Sequence, residues 1–357
     1  MNKFLKTEEV PNCILCNKPG KPFYVGLSDR LYQVPDQWNF FYCQDCHLAW
    51  LNPRPVAEDI PKCYPKSYFT HEPFEFVDFL TIDTQDPLVA VKRKLRIAIL
   101  RDRFNYHHLP MQSWWFSAIA TVLMLVPSFR EKVTMGLGER LVSFKKGGRL
   151  LDIGCGNGAY LAIMKHLGWE VAGIEVDPEA ARIASSNFDI HVHVGDIATV
   201  PFDAKSFDVI TMSHVIEHVP EPVKFLREAR RLLKSGGKIV IVTPNLQSLG
   251  ARLFGTDWYC LDPPRHLVLL TPRSLGLILE KAGFSCYNIN SATRKARKVL
   301  RKWLLLRKTG FFSHEREDVL TNSLWTRLWT KLFEMLERLG NFAFHWGEEI
   351  ECVAIKE

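Results

Sequence analysis

The sequence predicts an α/β fold: a doubly wound, mostly parallel sheet with a cysteine-rich ribbon before it and helical insertions around it. Three observations predict it. A glycine-studded turn, LLDIGCGNG at residues 150–158, joins an apolar run to a helical stretch. Further short apolar runs then alternate with helix-like segments as far as residue 291. Two C-x-x-C pairs, Cys13 with Cys16 and Cys43 with Cys46, stand about thirty residues apart near the N-terminus.

Composition sets the frame. A chain of 357 residues with 47% hydrophobic and 24% charged residues is ordinary globular material, which excludes a disordered or fibrous chain and allows one large core with appendages. The longest nearly apolar run, Trp114 to Val126, falls short of the roughly 18 to 20 residues a bilayer crossing needs. The opening MNKFLKTEEVPN has no signal-peptide apolar region, so a cytoplasmic protein is expected, with its nine cysteines serving as thiols or metal ligands. The net charge of +7 favours an acidic partner without choosing among nucleotide, RNA and anionic lipid.

Residues 1–70 read as a ribbon. Each C-x-x-C pair can present two thiolates from a tight knuckle to one tetrahedral ion, and Cys13, Cys16, Cys43 and Cys46 together complete a shell of four sulfurs. With no position left for water or substrate, the expected zinc ion is structural, and His47 is not needed as a ligand. Short strands, FYVGL and FFYC, lie between the pairs. The proline-rich LAWLNPRPVAEDIPKCYPKSYFT follows in extended or turning form, with Tyr68 as a substrate candidate and packing as the plainer alternative. Residues 71–147 carry the basic VKRKLRIAILRDR and then the Trp114 to Val126 run, which predict two or three helices forming a cap or linker. Paired tryptophans next to basic residues also fit an interfacial helix.

The core is expected over residues 148–292. Leu150, Leu151 and Ile153 form the first strand, and the glycines after it suit a turn that brings backbone N–H groups up to a ligand. Gly154, Gly156 and Ala159 also satisfy the dinucleotide pattern G-x-G-x-x-A. Asp152 argues against that ligand, because a carboxylate repels a pyrophosphate yet accepts a hydrogen bond from an ammonium. A second strand ends at Glu175, suitably spaced for ribose hydroxyls, and a third ends at Gly195 and Asp196. FDVITM is the fourth, leading into Ser213-His-Val-Ile-Glu-His218, and KIVIVTPN is the fifth.

This succession resembles the class I S-adenosylmethionine-dependent methyltransferases, a Rossmann-like fold with a seven-stranded sheet whose last strand is antiparallel. The resemblance implies S-adenosylmethionine as cofactor, its methionyl part held by Asp152 and the loop Gly154, Cys155, Gly156, Asn157 and Gly158. It places the ribose at Glu175 and Val176, the adenine at Asp196 and Ile197, and Ser213 at the strand end facing the cofactor. The segment after the fourth strand is similar to the E-x-x-E-H stretch of quinone-biosynthesis O-methyltransferases, where it can bind a divalent cation. Here His214 replaces the first glutamate, which counts against magnesium. His218 is the expected general base, oriented by Glu217, with local hydrogen bonding as the alternative for both histidines. The letters H-x-x-E-H also spell an inverted zinc-protease motif, but here they cap a strand and run into Pro220 and Pro222.

A loop after the fifth strand holds Trp258, Tyr259, Arg265 and His266 between prolines, candidates for contact with an anionic or hydroxylated substrate. Its W…PRH…TP pattern, like the proline-rich stretch after the ribbon, resembles a methyltransferase subgroup of sugar and surface-polysaccharide biosynthesis. A sixth strand, SCYNINS, should pair with an antiparallel seventh at residues 350–357. Between them, residues 293–349 form a basic, helical insertion. Val299, Leu300, Trp303 and Leu304 make one apolar stripe. A second helix should run from about Ser323 to a stop at Gly340, with Leu324, Leu328, Leu332, Leu336 and Leu339 on one face. Packing on the core or homodimerisation is one expectation for these helices, and peripheral contact with an anionic membrane is the other.

Together these observations predict transfer of a methyl group to a small-molecule or lipid-linked hydroxylated acceptor, such as a sugar nucleotide or a glycan intermediate. The alternatives are an rRNA methyltransferase using the ribbon on RNA, and a non-catalytic S-adenosylmethionine-binding scaffold. Nucleic acid is disfavoured because no module with interleaved aromatic and basic residues is evident.

Overall fold

The computed structural model describes residues 5–64, 86–126, 129, 134, 137, 140–312 and 323–357. Tyr68 therefore lies outside the described residues. In chain order the strands are β1 (Thr7–Glu8), β2 (Lys21–Leu27), β3 (Trp38–Cys43), β4 (Leu48–Leu51), β5 (Arg54–Pro55), β6 (Arg149–Ile153), β7 (Glu170–Glu175), β8 (His191–Val194), β9 (Phe207–Ser213), β10 (Leu233–Pro244), β11 (Val268–Leu269), β12 (Cys286–Ala292) and β13 (Glu349–Ile355). The α-helices are α1 (Pro87–Arg103), α2 (Trp114–Leu123), α3 (Ala159–His166), α4 (Pro178–Phe188), α5 (Pro222–Leu232), α6 (Leu249–Phe254), α7 (Pro272–Lys281), α8 (Ala296–Thr309) and α9 (Leu324–Phe344).

Seven strands form one sheet in the order β12-β13-β10-β9-β6-β7-β8. The β6 and β7 pair and the β7 and β8 pair are parallel, while the last strand runs antiparallel to β12, pairing Cys286 with Ile355 through Ala292 with Glu349. This is the seven-stranded α/β sheet expected from the alternation of strands and helices. The helix starts follow local chemistry. Asp177 accepts hydrogen bonds from the N–H groups of Glu179 and Ala180 ahead of α4, and Thr271 with Ser274 closes a capping box on α7, each helix opening with proline at its first position.

The chain divides into two compact units whose limits differ from the sequence boundaries. One comprises Met1–Phe69, Met212–Arg231 and Ile241–Glu357, and the other Thr70–Thr211 with Leu232–Val240. In the first, β2, β3 and β4 of the ribbon form a four-stranded sheet completed by β11, a strand from the loop after β10. Backbone bonds tie this together: Leu51 N–H donates to Leu267 O, and Leu267 N–H donates to Glu217 O. Leu27, Trp38, Phe40, Leu51, Trp258, Leu267 and Leu269 share one core here. In the second unit α1 packs on α2 through Leu95, Ala98, Ile99, Phe116 and Ala120.

Helix α9 departs from its sequence reading. It continues past Gly340 to Phe344, and Gly340 is buried. A Cβ there would lie 1.8 Å from the Trp346 ring, so this glycine admits an indole against the helix and does not end it.

Candidate functional site

In the second unit the loop after β6 is built by glycines at positive φ: Gly154 at 68°, Gly156 at 53° and Gly158 at 80°. A side chain on Gly158 would also put its Cβ 2.7 Å from that of Ala184, so this glycine brings the start of α3 against α4. The backbone N–H groups do not behave as expected. Those of Gly154 and Cys155 donate to Ile174 O, that of Gly156 to Glu175, and that of Gly158 to Cys155 O. With these four donors spent internally, the loop offers mainly acceptors, which suit an ammonium better than a phosphate. Cys155 turns its side chain inward, its Sγ filling the space where a Cβ on Gly173 would stand at 2.6 Å. It contributes backbone alone.

Asp152 is buried, accepts a hydrogen bond from Thr211 Oγ1 at 2.6 Å and meets Arg140 Nη2 at 3.2 Å. Burial pushes its pKa up to about 6 against the pull of Arg140 and Thr211. The Arg140 guanidinium lies 3.8 Å from the centre of the Tyr160 ring. Sequence reasoning missed Arg140, which stands in an unpatterned stretch before β6. Acid and guanidinium together present the charges that a zwitterionic amino-acid group requires, so these residues fit a methionyl moiety. Glu175 is buried and accepts from Gly156, Val176 and Asp177 N–H, leaving part of its acceptor capacity for a hydroxyl, and burial raises its pKa. Val176 is exposed, Asp196 is exposed and accepts from Ala198 N–H, and Ile197 is buried. Asn157 accepts from Ala159 N–H at the helix start.

In the first unit, the residues after β9 form one short 3-10 turn, Ile216–His218, too short for a protease helix. Ser213 is half-buried at the strand end. Glu217 is fully buried, its Oε1 meeting His214 Nδ1 at 3.0 Å and its Oε2 accepting from Thr243 Oγ1 at 3.0 Å. Burial opposes ionisation, but the His214 contact outweighs it and holds the Glu217 pKa down at about 2. His218 Nδ1 lies 2.9 Å from Arg265 O and 3.0 Å from Tyr64 Oη. A carbonyl only accepts, so Nδ1 carries the hydrogen and Nε2 the lone pair. His266 donates likewise from Nδ1 to Cys260 O at 2.8 Å. Burial pushes both imidazoles down to about 4, so both are neutral at pH 7. Glu217, His218 and His266 each place one ligating atom within 4.8 Å of the others.

Several expected roles change. His214, at φ 57°, spans two carboxylates, reaching Glu217 with Nδ1 and Glu349 with Nε2 at 2.8 Å. Burial and Lys295 oppose its charge, yet the two carboxylates raise its pKa. It positions Glu217 and is not a free base. Arg265 is 1% exposed and is no substrate contact: its guanidinium is bidentate to Asp29, bonds Asp262 and donates to Cys63 O. Trp258 is also buried, its Nε1–H donating to Glu348 at 3.1 Å. Tyr259 is half-buried beneath Lys302 and lines an open cavity of about 380 Å³ with Arg30 and Asp257. Tyr64, which sequence reasoning missed, meets His218 through its hydroxyl.

The four cysteines come together as the spacing predicts, each Sγ within 4.8 Å of the others. Leu15 N–H and Cys46 N–H donate to Cys13 and Cys43 sulfurs, as metal knuckles do. Burial pushes the Cys13 thiol up to about 11, a cost to the thiolate that a bound cation would relieve.

Residues 128–289 match the family model described as a methyltransferase domain. Over 156 residues the chain is 35% identical to a ubiquinone biosynthesis O-methyltransferase of Xanthomonas axonopodis pv. citri, covering 40% of this chain and 65% of that protein. Over 149 residues it is 32% identical to the protein of that name from Cereibacter sphaeroides, covering 39% and 60%. Another relative, from Xanthomonas oryzae pv. oryzae, is matched over 44% of its length, so the chain spans from under half to just under two thirds of these relatives. A crystal structure of a SAM-dependent methyltransferase from Archaeoglobus fulgidus aligns at a TM-score of 0.43 and 23% identity, over 68% of this chain and 100% of that one. Residues 128–289 thus carry a methyltransferase domain, set on the seven-stranded sheet and the glycine loop described above.

Proposed function

We propose that the protein transfers a methyl group from S-adenosylmethionine to a hydroxyl of a small acceptor, of the sugar-nucleotide or lipid-linked glycan class used in surface-polysaccharide or secondary-metabolite synthesis. The observation that carries the proposal is the trio of buried Glu217, half-buried His218 and buried His266, in which a neutral imidazole stands beside an ionised carboxylate. The O-methyltransferase names of the relatives agree with transfer to oxygen. When bound, the cofactor supplies an electrophilic methyl group on a sulfonium, and in-line displacement then needs an oriented nucleophile. His218 takes the hydroxyl proton at Nε2, and the Glu217 charge steadies the imidazolium that forms. His214 and Thr243 hold Glu217 in place. Asp152 and Arg140 would hold the ammonium and carboxylate of the methionyl group, Glu175 the ribose, and Asp196 with Ile197 the adenine. Cys13, Cys16, Cys43 and Cys46 would hold a structural zinc ion.

The test incubates the purified protein and methyl-labelled S-adenosylmethionine with a cell extract separated into small-molecule, lipid and RNA fractions. Label in the small-molecule or lipid fraction that is lost with His218→Ala supports the proposal, once circular dichroism shows that the variant is folded. Label confined to RNA overturns it. Tight cofactor binding with no label in any fraction favours a scaffold.

A further inference from the structure

Helix α9 has two faces of different fate. Thr330, Phe333, Glu337 and Gly340 recur at helical spacing and are buried. The leucines of the expected packing face lie elsewhere and are exposed. Leu324, Leu328, Met335, Leu339 and Phe342 form one stripe, flanked by Trp325, Trp329, Leu332 and Leu336. Trp325 is 73% exposed and Phe342 97%. This face runs along a helix of 21 residues, roughly 31 Å, and single chains rarely leave so continuous an apolar surface in water.

Charge identifies what covers it. Arg327 and Lys331, one turn apart, are exposed along the edge of the stripe, with Arg338 two turns on from Lys331. Helix α8 lies alongside, joined by the ion pair of Arg297 with Glu334, and its sequence ARKVLRKWLLLRKT contains no acidic residue. The two acidic residues of α9 add little negative charge: Glu334 is paired with Arg297 and Arg338, and Glu337 is buried. The rim of the apolar face is therefore positive. Within the other unit, α2 has the same make-up, with Trp114, Trp115, Ile119 and Val122 exposed and Lys94 of α1 5.6 Å from the Phe116 ring.

We propose that the exposed face of α9 seats on an anionic lipid bilayer, its leucine, tryptophan and phenylalanine side chains at the acyl boundary and Arg327 and Lys331 against headgroup phosphates. Among the described residues no helix is long and apolar enough to cross a membrane, so α9 lies along the surface. A second copy of the chain fits this face less well, because an antiparallel two-fold pairing brings the positive edge near its own image and a parallel one lays it against the apolar flank of Trp329 and Leu336. The inference does not rest on the transferase reading.

The test sediments the full chain with vesicles of phosphatidylcholine alone and of phosphatidylcholine with phosphatidylglycerol. Expected is binding to the anionic vesicles that weakens with salt and falls about tenfold or more in Leu328→Glu with Leu332→Glu, and likewise in Arg327→Glu with Lys331→Glu. All four side chains are exposed, so the melting curves of the variants should match that of the parent. Absence of binding, equal binding by parent and variants, or a dimer that the leucine variant dissociates would each overturn the proposal.

Discussion

The Nδ1 atom of His218 lies 2.9 Å from the carbonyl oxygen of Arg265, so a buried arginine sets the tautomer of the proposed base through its backbone while its side chain holds the loop in place. The guanidinium is bound by Asp29 and Asp262, from segments far apart in sequence, and this keeps the carbonyl where His218 can donate to it.

Replacing Arg265 with alanine leaves the buried Asp29 and the half-buried Asp262 without their cation, a loss on the order of 3–5 kcal/mol. Lysine should not rescue it, since an ammonium cannot bond Asp29 in bidentate fashion. Denaturant unfolding of the parent, Arg265→Ala and Arg265→Lys chains measures both effects, and a change of less than about 1 kcal/mol in Arg265→Ala would refute the structural role.

The His218 pKa, held at about 4 by burial and the neighbouring His266, places the acid limb of kcat/KM near that value and not at the ordinary 6.5. His218→Ala should lower kcat by roughly 10²–10⁴-fold with the fold retained. The same shift has a stability sign. The unfolded chain binds protons below 6.5 that the buried imidazoles refuse, so stability present above that pH is lost as pH falls towards about 4, for His266 as well. A pH series of kcat/KM and of melting temperature checks both.

Glu337, on the buried face of α9, accepts from Glu348 N–H at 2.8 Å on one oxygen, while its other oxygen is buried with no hydrogen-bond partner among the described residues. Burial and the nearby Glu348 charge push its pKa up to about 9 from the ordinary 4.5. Its neutral form belongs to the fold, so stability is full below about 4.5 and declines as pH rises towards 9. Glu337→Gln keeps the acceptor and removes the charge. It should stabilise the protein at pH 8 by a few kcal/mol at most and flatten that decline, as thermal melts between acid and alkaline pH would show.

The four-cysteine cluster predicts one tightly held metal ion per chain. Cys43→Ser should lose it and lower the melting temperature by several degrees or more, and a chelator should do the same to the parent while making the four thiols reactive. Elemental analysis beside a thiol titration reads both, and metal retained in Cys43→Ser would place the ion elsewhere.

What the sequence determined by itself was local. Period-two and helical apolar patterns located β6, β7 and α3, the positive-φ glycines located the loop between them, and C-x-x-C spacing located the sulfur cluster, because each depends on neighbours in the chain. The tertiary structure alone decided which polar groups meet. Glu349 reaches His214 across 135 residues, Tyr64 reaches His218 across 154, and Asp29 claims the Arg265 side chain that sequence reasoning assigns to substrate. It also decided which side of α9 is buried. Apolar residues line one sector of that helix, but on another Gly340 lets Trp346 approach closely and Phe333 packs against Leu249, Ala296 and Leu300, and close packing outweighs apolar content in selecting the buried face.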